Sequence, residues 1–300
     1  MFNERKFTHT DPFIKVVFNT TFGFWVSVMY KQLRVAIIGV GKMGEAIVAG
    51  LIASNRCMSE YIVCYDISAE RREYMRKIYG VKCFDKPSED LKNVDMVFIS
   101  VKPKDVPIVL SDIVPYLDRS SVLISVAAGV SLSYLRKYIP KPIPIVRIMP
   151  NLACMIREGM IAYSAEYAID PDIERNIVDM LSLLGRVVKI DEQYMDVVTA
   201  LVGSGPAYVA FVIEALADAG VRLGIPKDLA ITMAAQTVLG ASKLILDKRI
   251  HPAILRDMVA TPGGTTVEGL LVLEENAVKS AFIHAISRAA TKASELHLQS

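Results

Sequence analysis

The sequence predicts an α/β fold: a doubly wound, mostly parallel sheet over residues 31–192, then an all-α C-terminal region over residues 193–300. Three observations carry that expectation. Short apolar runs ending in turn residues alternate with helical patterns as far as Glu192. The first of these runs leads straight into G-x-G-x-x-G, the phosphate-binding turn of a Rossmann-type sheet. Beyond Glu192 the strand signals stop and helical spacing takes over.

Residues 1–30 look foreign to the rest. The stretch from Phe13 to Tyr30 is apolar and aromatic, but Lys15, Asn19, Thr20 and Thr21 interrupt it too often for a bilayer span. It has no small-residue cleavage site, and Glu4 and Asp11 weigh against a transit peptide. Met29 stands where such sheets begin, so the segment reads either as an upstream mis-called start or added extension, or as a genuine arm.

The first strand is the apolar run from Leu33 to Ile38, and a helical pattern follows from Glu45 to Leu51. Between them lie Gly39, Val40, Gly41, Lys42, Met43 and Gly44. Gly39 permits the tight turn, Gly41 lets a pyrophosphate approach the backbone, and Gly44 allows close helix–strand packing. The next strand, Ile62 to Tyr65, ends in Asp66, 22 residues past Gly44, where a ribose-binding acid belongs. Met96 to Val101 ends in Lys102-Pro103, Val122 to Val126 in Ala127-Ala128-Gly129, and Ile143 to Met149 in Pro150-Asn151. Met160–Ser164 and Val187–Ile190 extend the sheet. Between them Asp170-Pro171-Asp172 starts a helix, with Asp170 as N-cap, and Gly185 ends it. Ligands of doubly wound sheets sit beyond the carboxyl ends of the strands. Residues 39–44, Asp66, Ser100–Pro103, Ala127–Gly129 and Pro150-Asn151 should therefore share one rim.

Four helices are expected after Glu192: Tyr194–Gly224, Pro226–Leu246, Pro252–Val259 and Thr266–Leu296. The first is apolar around most of its circumference, with Tyr208, Val209, Phe211, Val212, Ile213 and Leu216, so it should be buried. Either the sheet domain or a second subunit must cover it, and the surplus of apolar helix favours the second subunit. Before the last helix stands Thr261-Pro262-Gly263-Gly264-Thr265-Thr266. Thr265-Thr266-Val267-Glu268 fits an S/T-x-x-E capping box. The same start also leaves backbone N–H groups directed at whatever lies before it, an anion site. The nucleotide-type start at Gly39–Gly44 tips the balance toward a second anion site.

Composition narrows the field. A net charge of +2 with mixed surface charge offers no basic tract for nucleic acid. Cys57, Cys64, Cys83 and Cys154 show no zinc spacing and read as reduced, buried thiols of a cytoplasmic protein. His9, His251, His284 and His297 form no ligand pair, so no metal is expected, and no membrane partner is expected either.

Assembled, these stretches resemble the pyrroline-5-carboxylate reductase family over residues 33–296. The resemblance rests on Ile38–Gly44, Val101-Lys102-Pro103, Ala127-Ala128-Gly129, Arg147–Asn151, Gly203-Ser204-Gly205-Pro206-Ala207-Tyr208, and the stretch from Asp257 to Leu273 around Pro262–Thr266. It implies hydride transfer from NADH or NADPH to the C=N carbon of a cyclic imino acid, giving L-proline. It also implies a homodimer with interleaved C-terminal helices, in some members assembled into rings of dimers. By resemblance Thr261 and the N–H groups of Gly263, Gly264, Thr265 and Thr266 hold the substrate carboxylate, and the Thr266 hydroxyl serves the ring nitrogen as the catalytic group. Ile38–Gly44, Asp66, Ser100, Val101, Lys102, Pro103, Ala127 and Ala128 would bind the cofactor.

Asp66 stands where many members carry a small polar residue, and its carboxylate favours NADH over a 2′-phosphate, although Ser68, Arg71 and Arg72 lie close by. Leu152-Ala153 replaces the Thr-Pro that often follows Pro-Asn. Lys102 either meets the nicotinamide side or caps a strand end. Glu192 reads as an exposed linker carboxylate and Ser204 as a helix cap. A β-hydroxyacid-dehydrogenase-like oxidoreductase would share the two-domain plan, but its helix-borne lysine base has no counterpart between Lys189 and Lys227. A non-catalytic NAD(P) sensor would have no use for the Pro262–Thr266 site.

Overall fold

The computed structural model describes residues 33–296 apart from 56, 167 and 168, together with the backbone of two strands, β1 (Lys15–Asn19) and β2 (Phe24–Val28), paired antiparallel. The remaining expectations about residues 1–30 lie outside the described residues.

A central sheet holds eight strands: β3 (Val35–Ile38), β4 (Ile62–Tyr65), β5 (Lys82–Phe84), β6 (Met96–Ile99), β7 (Val122–Ser125), β8 (Ile145–Met149), β9 (Gly159–Ala165) and β10 (Gly185–Lys189). Their order is β10-β9-β8-β7-β6-β3-β4-β5. Pairing is parallel from β5 to β8, antiparallel between β8 and β9, and parallel again to β10. Strands β3, β6, β7 and β8 are buried along their whole length, which is why they read as apolar runs, broken only by Ser125 at the end of β7 and Arg147 in the middle of β8. The chain leaves β3 on one side to β4 and returns on the other to β6. That reversal opens a crevice above β3.

Helices α1 (Lys42–Ala53), α2 (Ala69–Tyr79), α3 (Val106–Ile113), α4 (Leu132–Tyr138) and α5 (Pro171–Ser182) cover the two faces. One core unites β3 residues Val35 and Ile37 with α1, α2 and α5 through Ile47, Leu51, Met75, Ile177 and Leu181. The other sets Ala36, Val97 and Ile99 against Leu110 and Ile113 of α3 and Leu135 of α4. Asp170 caps α5 through the amides of Asp172 and Ile173. Gly185 opens β10 at φ +150 rather than closing the helix, which stops at Ser182. A Cβ there would lie 2.0 Å from the Gly159 carbonyl oxygen, so close backbone approach accounts for that glycine.

Glu45 ties α1 to α2. Its carboxylate is buried, accepts from Arg71 Nη2 at 2.7 Å, and takes the hydroxyls of Tyr74 and Tyr79 at 2.9 and 3.1 Å. Burial pushes its pKa up, but hydrogen bonds from Arg71, Tyr74 and Tyr79 outweigh that and hold it below its ordinary value of 4.5. A depressed carboxyl contributes its full stability above its unfolded-state pKa and loses it as pH falls through the folded one. Glu45→Gln should therefore cost about 2 kcal/mol near neutral pH. That difference should close in acid, and urea melts across a pH series measure it.

Beyond β10 the chain is helical: α6 (Met195–Val198), a π turn over Thr199–Gly203, α7 (Gly205–Arg222), α8 (Lys227–Lys248), α9 (Pro252–Val259), α10 (Thr265–Glu275) and α11 (Val278–Glu295). The expected first helix is thus divided by the π turn ahead of Gly205-Pro206. The expected last helix is divided at Ala277, which sits at φ +50 after Asn276 donates its side-chain amide to the Val272 carbonyl. Helix α7 packs on α8, and α11 returns to α6 and the π turn. Within one chain α7 is not buried: Ala217 is its sole fully buried residue, while Phe211 is 68% exposed. The sheet domain therefore does not cover this apolar helix. The stretches Glu192–Arg222 and Lys227–Lys248 are also long and apolar enough to cross a bilayer by length and composition.

Candidate active site

The strand register levels the turns on one rim. Ile38, Tyr65 and Ile99 are Cα partners, as are Ile99 and Ser125. The first residue past each strand then bonds its neighbour: Gly39 N–H to the Tyr65 carbonyl at 2.8 Å, Ser100 N–H to Ile38 at 2.7 Å, and Val126 N–H to Ile99 at 3.0 Å. Residues 38–44, Asp66, Ser100–Pro103 and Ala127–Gly129 accordingly stand side by side. Pro150 and Asn151 leave β8 in the same direction.

Steric facts distinguish the three glycines. Gly39 sits at φ +89, and a Cβ there would lie 2.6 Å from the Ser100 carbonyl oxygen. A Cβ on Gly44 would lie 2.1 Å from the Gly39 carbonyl oxygen. At Gly41 it would meet nothing within 4 Å. Gly41 is the exposed N-cap of α1, and no side chain caps that start. The opening turn of α1 therefore offers free amides and the positive end of its dipole to open space. Lys42 beside it is exposed and Met43 half-buried. Ile38 and Val40 are buried beneath the turn. The buried Ser100 hydroxyl on the same rim has no hydrogen-bond partner among the described residues. An uncapped helix start, an open glycine and an orphaned hydroxyl together fit a dinucleotide.

Asp66 is held rigidly. Its Oδ2 accepts from Val40 N–H and its Oδ1 from Ser68 N–H, both at 2.9 Å. The cations nearby are committed elsewhere. Arg71 donates to the Val40 carbonyl at 2.6 and 2.9 Å as well as to Glu45, and Arg72 donates to the carbonyls of Asp66 and Ile67. The Ser68 hydroxyl caps α2 by accepting from Arg71 N–H. Val101 and Pro103 are half-buried, and Lys102 is exposed at the start of a short turn. Ala127 is buried, and its N–H reaches the Ser125 hydroxyl at 3.3 Å; Ala128 is half-buried beside it.

The second anion-type start differs in detail from the sequence expectation. Gly264, not Thr265, is the N-cap of α10, and no side chain caps it, so the capping box does not form. Thr261-Pro262-Gly263-Gly264 is a tight turn with Gly263 at φ +67 and the Gly264 N–H bonded to the Thr261 carbonyl at 2.9 Å. That bond removes Gly264 from the set of free donors. The amides of Gly263, Thr265 and Thr266 keep no backbone or side-chain partner among the described residues. Thr261, Gly263 and Thr265 are exposed, and Thr266 is half-buried. No hydrogen bond or ion pair joins residues 261–266 to the rim among the described residues of this one chain.

Two expectations fail here. Ser204 stands at the N-cap position of α7, but its hydroxyl caps no amide there and donates back to the Thr199 carbonyl at 3.4 Å. Glu192 is no free linker carboxylate: its Oε1 accepts from Leu132 N–H at 2.7 Å and lies 3.3 Å from Arg147 Nη1. Arg147, buried in the middle of β8, carried no sequence signal beyond its place in the Arg147–Asn151 stretch.

Comparison with known proteins agrees with this geometry. Residues 192–296 match the family model described as pyrroline-5-carboxylate reductase dimerisation, and residues 34–129 that of a coenzyme F420-dependent NADP oxidoreductase. A Synechocystis pyrroline-5-carboxylate reductase is 40% identical over 88% of this chain and 98% of its own length. The Coxiella burnetii enzyme structure superposes with a TM-score of 0.81 at 31% identity, covering 90% of this chain and 100% of that one. A Plasmodium falciparum pyrroline carboxylate reductase with NADP bound gives 0.80 at 29% identity, covering 89% and 98%.

Proposed function

The chain belongs to the pyrroline-5-carboxylate reductase family, and from that premise we propose how its own residues reduce the cyclic imino acid to L-proline. The observation that carries the reading is the presence of two uncapped helix starts, at Gly41 and at Gly264, one suited to a pyrophosphate and one to a carboxylate. The bound nicotinamide supplies a hydride from C4 to the C=N carbon. A protonated imine is already electrophilic, so the protein's task is chiefly proximity and orientation.

The free amides of Gly263, Thr265 and Thr266 and the Thr261 side chain hold the substrate carboxylate at the positive end of α10. The Thr266 hydroxyl hydrogen-bonds the ring nitrogen, whose proton arrives with the substrate or through water. Gly41 and the opening turn of α1 take the pyrophosphate, with Ser100–Pro103 and Ala127-Ala128 lining the nicotinamide side. The cover over α7 and α8 is a second subunit rather than lipid; the dimerisation match across residues 192–296 supports this. We place the division between the two domains at residues 192–193, in the gap between β10 and α6. Four free, buried cysteines fit a reducing cytoplasm.

For the cofactor we favour NADH. Asp66 is fixed by two amides at the ribose position, where its carboxylate would accept from a free ribose and repel a 2′-phosphate, and Arg71 beside it is already paired with Glu45. Turnover of pyrroline-5-carboxylate with each nicotinamide tests activity and preference together. Higher kcat/KM with NADH is expected, and Asp66→Ser should move the ratio toward NADPH by on the order of tenfold or more. A clear NADPH preference in the unaltered protein would refute the assignment.

A further inference from the structure

Arg147 is a buried charge whose partners are incomplete. It lies mid-strand in β8, in register with the buried Ser125 of β7 and Ser164 of β9, and is 2% exposed. Its Nη1 reaches Glu192 Oε1 at 3.3 Å and its Nη2 stands 3.7 Å from Asp196 Oδ1. Nε and Nη2 have no hydrogen-bond partner among the described residues. An ion pair so placed adds little to stability, because the desolvation of the guanidinium offsets the attraction, and an apolar side chain would pack there at lower cost. A charge placed there at such cost points to geometry rather than stability.

The geometry is that of a junction. The same Glu192 oxygen accepts from Leu132 N–H at 2.7 Å, the first residue of α4, directly after the Ala127–Gly129 turn of the rim. Glu192 and Asp196 belong to the short segment that joins β10 to the helical half, immediately before the π turn and α7. Helix α11 packs on that same segment. Glu192, met from inside the sheet by the Arg147 guanidinium, therefore ties the start of α4, just past the rim turn, to the root of the helices that lead to residues 261–266.

We infer that Arg147, bonded to Glu192 and facing Asp196, is a positioning residue for hydride transfer that sets the angle between the rim and the helical half. It rests on the functional reading above. Arg147 acts through Glu192, so its loss leaves the cofactor's own contacts in place but lengthens the path from nicotinamide to imine.

The test uses the full-length protein with Arg147→Lys, Arg147→Met and Glu192→Gln. It measures kcat, both KM values and the primary isotope effect on kcat/KM with cofactor deuterated at C4. Misplacement of reacting groups by about 1 Å costs on the order of 100-fold, so Arg147→Met should lose about 10- to 100-fold in kcat. Arg147→Lys should lose less, and cofactor KM should stay within about threefold in both. The isotope effect should rise from the wild-type value toward its intrinsic limit, because hydride transfer becomes the slow step. A variant that merely folds poorly loses active enzyme without moving the isotope effect. Glu192→Gln keeps an acceptor for Leu132 N–H and sits on a partly exposed side chain, so it remains informative if Arg147→Met does not fold. Unchanged kcat, or reduced kcat with an unmoved isotope effect in Glu192→Gln and Arg147→Lys, overturns the inference while leaving the reductase reading intact. Wild-type protein inert with either nicotinamide would remove both.

Discussion

Thr266→Ala should lower turnover about 100-fold, the usual cost of removing one hydrogen-bonding group aimed at a reacting centre, while cofactor affinity stays within about twofold. The separation follows from where the residue stands. Thr266 is the second residue of α10, in the helical half, and neither its side chain nor its amide is bonded to the rim that takes the dinucleotide. A folding defect would not mimic the result, because alanine is the better helix former at that position. Thr266→Ser retains the hydroxyl and should recover most of the activity. Steady-state turnover with pyrroline-5-carboxylate, set beside cofactor titration by nicotinamide fluorescence, reads both quantities. Turnover at the wild-type level in the alanine variant would take Thr266 out of the mechanism.

Gly41→Ala should leave thermal stability unchanged and weaken dinucleotide binding by about 30- to 100-fold, the equivalent of roughly 2–3 kcal/mol of steric conflict. The prediction turns on a Cβ that meets nothing within 4 Å of the protein itself. The backbone of Gly41, at φ −63 and ψ −165, is open to alanine, so the fold has no reason to object. Any penalty must then come from a ligand occupying that space. Gly44→Ala makes the contrast, since its methyl would lie 2.1 Å from a main-chain oxygen and would disturb the domain whether or not cofactor is present. Melting curves with and without NADH, together with dissociation constants, separate the two glycines. Unaltered affinity in Gly41→Ala would move the pyrophosphate elsewhere.

Much of the sheet domain was legible because its constraints are local. Four strands buried on both faces are apolar but for Ser125 and Arg147, and two of the three spaced glycines, Gly39 and Gly44, answer to steric contacts that a Cβ would violate. Asp66 was found by distance along the chain alone. The strand β9 was read as a strand, but the pattern of its residues is silent about direction, so its antiparallel pairing with β8 was not. The capping box at Thr265 failed because the Pro262-Gly263 turn ends one residue early and makes Gly264 the cap. The break at Ala277 gave no warning, alanine being the strongest helix former; it is Asn276, closing on Val272, that stops α10. The Arg147–Glu192–Leu132 junction joins residues 45 and 60 positions apart, a relation no short motif encodes.

The bare flank of α7 and α8 has a consequence for how this enzyme persists in a dilute cell extract. With Phe211 68% and Leu223 84% exposed in a single chain, the free energy of burying that flank arrives only on encounter with another copy. The stability of the C-terminal half then depends on how much chain is present, and dilution withdraws part of it.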